Sequence, residues 1–176
     1  MIGSDIEIAQ AATLKPIIQM AQDRLGIPPE ALEPVLARAQ EAGDYSIVVK
    51  VNTAFTSTLR ACARPSLNGQ AGTWITGEMQ LAYEAWHLLG HVHSIETWVH
   101  GELVGGLYGV SLGHMFFGES MFSRVPDASK IALAHLVWYL KKQGVAWIDC
   151  QMHTEHLRTL GAAPIPRQPF IVHVRQ

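Results

Sequence analysis

The sequence predicts an α/β fold of the α+β kind, with helices packed on one mixed sheet, and two observations support this. Short apolar runs that alternate as strands do are interleaved with segments whose apolar residues recur every three or four positions. A helical segment, 128–142, separates the strand-like runs 116–123 and 147–151. A strand–helix–strand unit of this length makes its strands parallel neighbours, whereas the closely spaced strands before it pair antiparallel.

Composition indicates one domain of 176 residues, of which 48% are apolar. A net charge of −2 and a charged fraction of 16% do not indicate a nucleic-acid-binding surface. Cys62 and Cys150 have no metal-binding or redox spacing, and both lie in apolar surroundings typical of buried free thiols. With no basic leader and no apolar run of the ~20 residues that a membrane span needs, we expect a cytoplasmic protein without a membrane partner.

The first 43 residues are predicted to form a helical appendage, followed by the main domain, 44–176. Within the appendage, Pro16 interrupts an amphipathic helix over residues 5–25. A resemblance to the N-terminal helix of formate–tetrahydrofolate ligases covers residues 4–34 and rests on Ser4-Asp5-Ile6-Glu7-Ile8-Ala9-Gln10-Ala11-Ala12 and Leu25-Gly26-Ile27-Pro28. No G-x-x-x-x-G-K-[ST] loop occurs, so this resemblance implies no folate or ATP function.

Turn and cap signals divide the main domain into strands and helices. The predicted strands are 45–51, 93–99, 103–112, 115–120, 147–151 and 170–174. The predicted helices are 53–61, 76–89, 128–142 and 155–160. Thr53 and Asp127 are the expected N-caps of two of these helices, and Gly144 ends the longest. Helix 76–89 is predicted to pack through the apolar residues Met79, Ala82, Trp86 and Leu89.

Polar side chains occur where strand interiors are normally apolar. Because side chains alternate along a strand, Phe117, Glu119 and Met121 are predicted to share one face. By the same argument Asp149 and Gln151 share a face, and Cys150 points the other way. If the two runs are adjacent parallel strands, two carboxylates and an amide converge near one cleft.

The predicted element order, β-α-α-β-β-β-α-β-α-β, is that of the GNAT-type acyltransferase fold, in which the fourth and fifth strands splay apart to admit substrates. The turn 123–127 contains no glycine, and Pro126 removes a backbone donor, which argues against coenzyme A binding. The nine histidines have no H-E-x-x-H frame, and Ser120 and Ser123 lie in no G-x-S-x-G elbow. We therefore expect neither a metal nor a cofactor.

A dense set of motifs, matching in sequence order and spacing, resembles the leucyl/phenylalanyl-tRNA–protein transferases over residues 45–172. The motifs are Asn52-Thr53-Ala54-Phe55, Gly72-Thr73-Trp74-Ile75-Thr76, Gly90-His91-Val92-His93-Ser94-Ile95-Glu96, Leu103-Val104-Gly105-Gly106-Leu107-Tyr108-Gly109-Val110, Phe117-Gly118-Glu119-Ser120-Met121-Phe122-Ser123, Ala128-Ser129-Lys130, Ile148-Asp149-Cys150-Gln151 and Leu160-Gly161-Ala162. The resemblance implies a GNAT-type fold. It also implies transfer of leucine or phenylalanine from aminoacyl-tRNA to a protein whose N-terminal residue is Arg or Lys, which marks that protein for degradation.

The resemblance also implies roles for individual residues. Gln151 would bind the acceptor α-amino group, Asp149 would orient Gln151, and Glu119 would hold a cationic amine. Trp74 would flank the 3′-terminal adenosine. The apolar amino-acid pocket would be lined by Leu107, Leu133, Leu136 and Ile148. For Trp74 and these four apolar residues, the residues themselves equally allow an ordinary structural role.

Two alternatives remain open on the sequence. The Phe-Pro-Trp and Trp-Trp-Ser-Pro motifs of the family's N-terminal domain, which helps bind tRNA, do not occur in this sequence. The acceptor is therefore either a protein N-terminus or a small molecule or other peptide. A catalytically idle binding module is the alternative outside enzymes.

Overall fold

The computed structural model describes residues 47–64 and 74–175. The predicted appendage 1–43 and its ligase-like stretch lie outside the described residues. The strands are β1 (Ile47–Val51), β2 (Val92–Val99), β3 (Glu102–Leu112), β4 (Met115–Ser123) and β5 (Trp147–Asp149). The helices are α1 (Phe55–Cys62), α2 (Gly77–Leu88), α3 (Ala128–Lys142), α4 (Glu155–Thr159) and α5 (Arg167–Val174). No helix in these two described ranges is long and apolar enough to cross a membrane.

The described strands form one mixed sheet in the order β1-β2-β3-β4-β5. The first four strands are an antiparallel meander, because tight turns around Gly101 and Gly113 join β2 to β3 and β3 to β4. The crossover through α3 then places β5 parallel to β4. The mixed α/β architecture and the parallel pairing of the last two strands agree with the sequence prediction.

Helices cover both faces of the sheet. On one face, in what we call the α3 cluster, α3 packs through Ala132, Leu136 and Leu140 onto Ile95, Leu107 and Phe116. On the other face a second cluster, the α1/α2 cluster, joins the two helices that precede β2 to the sheet. Its buried members are Phe55, Leu59, Ile75, Val92, Tyr108 and Val110. Since Leu107 and Tyr108 are consecutive in β3, alternation sends one to each cluster.

The bounds of α3 are those predicted, but its start is built differently. Asp127 is the N-cap residue in a left-handed conformation (φ 65°), and its carboxylate pairs with Lys130 Nζ at 2.5 Å instead of capping the helix. The hydroxyl of Ser123 accepts the backbone N–H of Ser129 at 2.9 Å. A side chain at Gly105 would overlap Ala128, so glycine permits the close approach of α3 to β3.

The carboxylate of Glu96, which is fully buried in β2, holds the start of α1. The N-cap of this helix is Ala54, one residue after the predicted Thr53. Glu96 Oε1 accepts the Ala54 N–H at 2.8 Å and the Ser94 hydroxyl at 2.7 Å, and Glu96 Oε2 accepts the Thr53 hydroxyl. The sequence predicted that a neighbouring side chain, that of Thr53, caps the helix. The hydrogen-bond acceptor for the Ala54 N–H is instead Glu96, 42 residues further along the chain.

The predicted packing face of α2 is wrong. Trp86 and Leu89, assigned to that face, are 47% and 69% exposed. The helix instead contacts β3 through Tyr83, whose ring lies 5.1 Å from that of Tyr108, and contacts α1 through His87, which stacks on Phe55 at 4.0 Å. Apolar periodicity indicated one side of the helix, whereas two amphipathic aromatic residues on another side make its contacts with α1 and β3.

The last predicted strand, 170–174, is also wrong, because these residues belong to α5. Pro166 is the extended N-cap residue and Pro169 lies in the first turn, where proline is compatible with a helix. The β-branched residues after it have no neighbouring strand to join among residues 47–64 and 74–175, so their intrinsic preference does not decide the structure. His173 stacks on Trp147 of β5 with ring centroids 4.4 Å apart.

Candidate active site

A β-bulge places Glu119 on the α1/α2 side of the sheet. In the pairing of β3 with β4, Tyr108 is opposite Ser120 and Gly109 is opposite Gly118, which leaves Glu119 as an extra residue. The bulge changes the alternation, so Phe117 packs with the α1/α2 cluster while Met121 packs with the α3 cluster. The prediction that Met121 shares a face with Phe117 and Glu119 is therefore wrong, since simple alternation does not anticipate an inserted residue.

Glu119 accepts a hydrogen bond from the hydroxyl of Tyr83 at 2.8 Å, between Tyr83 Oη and Glu119 Oε2. Burial and then the Glu119 carboxylate raise the pKa of Tyr83 well above its usual range. Tyr83 thus keeps its proton at neutral pH and acts as a donor that fixes the carboxylate. Sequence reasoning missed this residue. The spacing of Tyr83 and His87, four residues apart and so on one side of the helix, was the available signal.

Asp149 ends β5 and organises the turn that follows. Its Oδ1 accepts the backbone N–H of Gln151 at 2.7 Å. Gln151 is exposed and has a left-handed backbone (φ 59°), so strand alternation does not extend to it, contrary to the prediction. Asp149 and Gln151 are nevertheless brought together, through a backbone contact that residue spacing alone did not reveal.

The sheet opens just beyond Asp149. The pairing of β4 with β5 covers Met115, Phe116 and Phe117 only, opposite Trp147, Ile148 and Asp149. Gly118 still lies beside Asp149. A Cβ atom at position 118 would be 3.5 Å from the carbonyl oxygen of Asp149. From Glu119 to Ser123, β4 has no described strand partner on this side. Because β5 ends at Asp149, the opening is the unpaired edge of β4 from Glu119 to Ser123, and Glu119 and Asp149 lie at its start.

The four predicted pocket residues lie together on the other face. Leu107 and Leu136 are 3% exposed members of the α3 cluster, and Leu133 and Ile148 are partly buried against it. Ile148 and Asp149 are consecutive in β5, so they face opposite sides of the sheet. The opening therefore separates an apolar side from a side that presents carboxylates.

Trp74 lies two positions before the N-cap of α2. Its side chain is 51% exposed, while the following residue, Ile75, is buried in the α1/α2 cluster. A large exposed aromatic ring that is anchored by a buried neighbour is suited to stacking on a planar ligand.

Neither cysteine is suited to nucleophilic attack. Burial raises the pKa of the Cys62 thiol to about 12, and burial together with Asp149 raises the pKa of Cys150. A thiol with a raised pKa contains little of the reactive thiolate at neutral pH. In the described part of the chain, no three His, Cys, Asp or Glu side chains are grouped as metal ligands.

Comparison with known proteins identifies the family. A sequence model of the leucyl/phenylalanyl-tRNA protein transferases matches residues 28–175. The leucyl/phenylalanyl-tRNA–protein transferase of Bordetella petrii is 59% identical over 141 residues, which are 80% of this chain and 55% of the relative. The protein of the same name from Cupriavidus metallidurans is 51% identical over 161 residues, 92% of this chain and 64% of the relative.

The chain thus spans little more than half the length of several curated relatives that it matches: 55% of the Bordetella petrii protein and 59% of its counterpart from Chromobacterium violaceum. The family match nevertheless includes all the described strands and helices and every predicted site residue. The chain belongs to the leucyl/phenylalanyl-tRNA–protein transferase family.

Proposed function

We propose that this chain transfers leucine or phenylalanine from aminoacyl-tRNA to the α-amino group of a protein that begins with Arg or Lys. The observation that supports this best is the end of the β4–β5 pairing, where apolar residues lie on one face of the sheet and Glu119 and Asp149 on the other. A reaction between an apolar aminoacyl group and a cationic N-terminus needs both environments at one point. The relatives named above act, by their names, in this type of transfer.

The proposed fold is of the GNAT type. Its support is a mixed sheet in which the parallel pairing between the fourth and fifth strands stops after Phe117 and Asp149. In that fold the two strands separate to let two substrates meet. Fold similarity by itself does not define an activity, so the proposal depends on the residues at the opening.

The donor would bind on the side of the α3 cluster. Leu107, Leu133, Leu136 and Ile148 offer an apolar environment for a leucyl or phenylalanyl side chain. Trp74 would stack on the terminal adenosine of the tRNA, because its indole is exposed and anchored by Ile75. Burying such a side chain contributes roughly 1.5–3 kcal/mol to binding, enough to select apolar amino acids.

The acceptor would bind on the carboxylate side. Glu119, fixed by Tyr83, would pair with the cationic side chain of the N-terminal Arg or Lys. Gln151, held by the contact of its backbone N–H with Asp149, would accept a hydrogen bond from the α-amino group. Both roles use groups that are exposed or half-buried, so they remain accessible to a substrate.

The chemistry requires little beyond this arrangement. An α-amino group with a pKa of ~7.7–8 is partly unprotonated at neutral pH. Its nitrogen attacks the carbonyl carbon of the aminoacyl ester, the ester C–O bond breaks, and the tRNA hydroxyl leaves with the proton that the amine gives up. Alignment of the two substrates lowers the barrier without a covalent nucleophile, in agreement with the raised pKa of both thiols.

The test uses radiolabelled leucine on charged tRNA and a peptide that begins with Arg, with the same peptide beginning with Gly as control. We expect transfer to the Arg peptide only, and a large loss with Glu119→Gln. Transfer to amines regardless of an N-terminal Arg or Lys would favour a different acceptor, such as a small molecule. Peptide binding with no transfer from any charged tRNA would identify a binding module and refute the proposal.

If the activity is as proposed, its product is a protein with a new apolar N-terminus. Such a product belongs to a degradation pathway that reads N-terminal residues. The reaction would take place in the cytoplasm, where charged tRNA is available.

A further inference from the structure

The edge of β4 beyond the end of β5 has no described strand beside it. On its other side β4 pairs with β3 as far as Ser123, whereas its pairing with β5 stops where Phe117 lies opposite Asp149. The chain leaves the sheet after Asp149, because the left-handed backbone of Gln151 (φ 59°) does not fit a strand. A strand edge of this kind can pair with another extended chain.

The pairing of β4 with β3 shows which backbone groups of β4 face this edge. The Arg124 N–H donates to the Val104 carbonyl at 2.7 Å, so the two strands are hydrogen-bonded at this position. Hydrogen-bonded and non-hydrogen-bonded pairs alternate in an antiparallel ladder, so Ser123 and Met121 are in non-hydrogen-bonded pairs with β3. Their N–H and C=O groups therefore point away from β3, towards the open edge.

The other side of β3 gives the same alternation independently. The Ser111 N–H donates to the His91 carbonyl at 2.8 Å, so the backbone of Ser111, and of every second residue before it as far as Leu107, points towards β2. Leu107 lies opposite Met121 in the pairing of β3 with β4. The backbone groups of these two residues therefore point in opposite directions, and those of Met121 face the edge.

Charge along this edge is confined to its start. The stretch from Glu119 to Ser123 contains one charged residue, Glu119, whose carboxylate is held by Tyr83 on the α1/α2 side of the sheet. Met121 packs with the α3 cluster, and the Ser123 hydroxyl accepts the Ser129 N–H. The edge thus complements an extended chain that carries a positive charge at its first residue.

We infer that the N-terminal segment of the acceptor protein binds as an additional strand along this edge, parallel to β4. This inference rests on the proposed function, which places the α-amino group beside Gln151 and the first side chain at Glu119. The segment then continues in the direction of β5 and runs from Glu119 towards Ser123. Main-chain hydrogen bonds hold an added strand whatever its sequence, which suits acceptors that share only their first residue.

The register follows from the face that the first side chain occupies. Residues directly opposite each other have side chains on the same face, so a first residue that faces Glu119 places the second opposite Met121. In a parallel pair, the Met121 N–H then donates to the carbonyl of peptide residue 1, and the N–H of peptide residue 3 donates to the Met121 carbonyl. Ser123 makes the same contacts with peptide residues 3 and 5. The N–H groups of peptide residues 2 and 4 point away from β4.

The test uses N-methyl groups to remove single N–H donors from the acceptor, with the wild-type protein throughout. Three peptides begin with Arg and have the same sequence: one is unmodified, one is N-methylated at residue 3, and one at residue 4. With leucyl-tRNA as donor, the KM of the peptide methylated at residue 3 should rise about fivefold to tenfold, as for one lost hydrogen bond. The peptide methylated at residue 4 should behave like the unmodified one. Titration of labelled peptides without tRNA should show the same contrast in Kd.

A pair of variants tests the same contacts from the side of the protein. Met121→Pro removes the N–H that faces the edge, and a sheet accepts proline where the N–H is not bonded within it. Met121→Ala loses similar packing in the α3 cluster but keeps the N–H. The acceptor KM of Met121→Pro should be about fivefold above that of Met121→Ala. Melting temperatures show whether both are folded, and the peptide series decides the question if Met121→Pro is not.

Equal KM values for the two methylated peptides, or a greater loss at residue 4, would overturn the inference. If the edge pairs with a second copy of this chain instead, neither methyl group would matter and the protein would be a dimer in solution. If the wild type transfers leucine to none of the peptides, the proposed function is wrong, and the Kd series still decides whether the edge binds an extended chain. If all three peptides accept leucine with one KM, only the added strand is wrong.

Discussion

The hydrogen bond from Tyr83 to Glu119 holds the Glu119 carboxylate with a donor that remains protonated. Because burial and the neighbouring carboxylate raise the pKa of Tyr83, the phenol stays neutral and serves as a fixed donor. Its ring also packs edge-on against Tyr108 at 5.1 Å. One residue thus joins the helix layer to the carboxylate, and its hydroxyl can be removed without removing the ring.

Replacing Tyr83 with Phe should slow transfer to an Arg peptide by about tenfold, ~1.4 kcal/mol of transition-state stabilisation. The reason is that Glu119 loses the donor that orients it. The melting temperature should change little, because the ring contacts remain. Combining Tyr83→Phe with Glu119→Gln gives a double-mutant cycle, and additive losses would show that the two residues do not act together.

Replacing Asp149 with Asn should slow transfer by roughly 10–100-fold, about 1.4–2.7 kcal/mol. A neutral amide oxygen accepts the Gln151 N–H more weakly than a carboxylate does. The neighbouring Cys150→Ala is the matched control. It should cost about 1 kcal/mol of stability as a truncation of a partly buried side chain and leave the rate per folded molecule nearly unchanged.

Single-turnover rates and melting temperatures of the Asp149 and Cys150 variants separate the two effects. A slow Cys150→Ala beside an unaffected Asp149→Asn would mean that the thiol, and not the carboxylate, serves the reaction.

For these side chains, the sequence predicted a contact between residues that are close in the chain but not one between residues that are far apart in it. Asp149 and Gln151 are two residues apart, and their contact was expected, although it uses the backbone N–H of Gln151. Tyr83 and Glu119 are 36 residues apart, and nothing in the spacing of either indicates the other. A pair of this kind becomes visible only when the layers are assembled.

At the scale of elements, α1 depends on a side chain from β2. The buried Glu96 carboxylate accepts hydrogen bonds from the Ala54 N–H and from the Thr53 and Ser94 hydroxyls. It also lies at the positive end of the helix dipole. The start of α1 and the interior of β2 should therefore lose their order together.

The variant Glu96→Gln should lower the free energy of unfolding by roughly 2–3 kcal/mol, because hydrogen bonds to a charged acceptor are replaced by weaker ones. For a domain of this size that corresponds to a fall in melting temperature of roughly 5–10 °C. Glu102→Gln, at the exposed start of β3, is the control and should change little. Equal melting temperatures for both variants would rule out this role of Glu96.

The prediction of a helix was correct where the apolar periodicity and the residues that end a helix indicated the same bounds. The bounds of α3 followed from apolar periodicity together with Gly144, which has the left-handed φ of 76° expected after a helix. The packing face of α2 and the final strand failed for a shared reason. In both, local preference pointed to one arrangement, and contacts with β3 or with Trp147 of β5 stabilised another.

At the scale of the whole molecule, the sheet separates two environments that the proposed reaction has to combine. The α3 side is apolar, and the α1/α2 side presents Glu119 and Asp149 at the end of the β4–β5 pairing. The sheet separates these two sides except at the opening beyond Asp149, where β4 has no described strand beside it. Substrates with opposite polarity could thus approach from opposite faces and meet without mixing their binding sites.

Stability of the whole fold should decrease in mild acid. Burial lowers the pKa of His135, and burial followed by the nearby His87 lowers the pKa of His93. A histidine whose pKa is lower when folded contributes stability that is fully present above its unfolded pKa of ~6.5 and is lost progressively as the pH falls from that value through the lower folded pKa. The melting temperature should therefore be lower at about pH 5.5 than at about pH 7.5.

The variant His135→Leu should reduce this difference, because it removes one group that takes up a proton on unfolding. His153→Ala, at an exposed position, should leave it unchanged. An identical pH dependence in the wild type and in His135→Leu would show that His135 is not buried in its neutral form.

The extra residue at Glu119 makes the length of β4 as important as its composition. Deleting the extra residue would restore regular pairing of Gly118 with Gly109 and of Ser120 with Tyr108, so Met121 would stay in the α3 cluster and the carboxylate alone would be lost. Inserting a residue beside it would either enlarge the bulge or turn the rest of the strand over, which would take Met121 from the α3 cluster and Ser123 from its contact with Ser129. This stretch should therefore tolerate a deletion far better than an insertion. A one-residue gap at Glu119 in a sequence alignment would mark a relative that lacks both the bulge and this carboxylate.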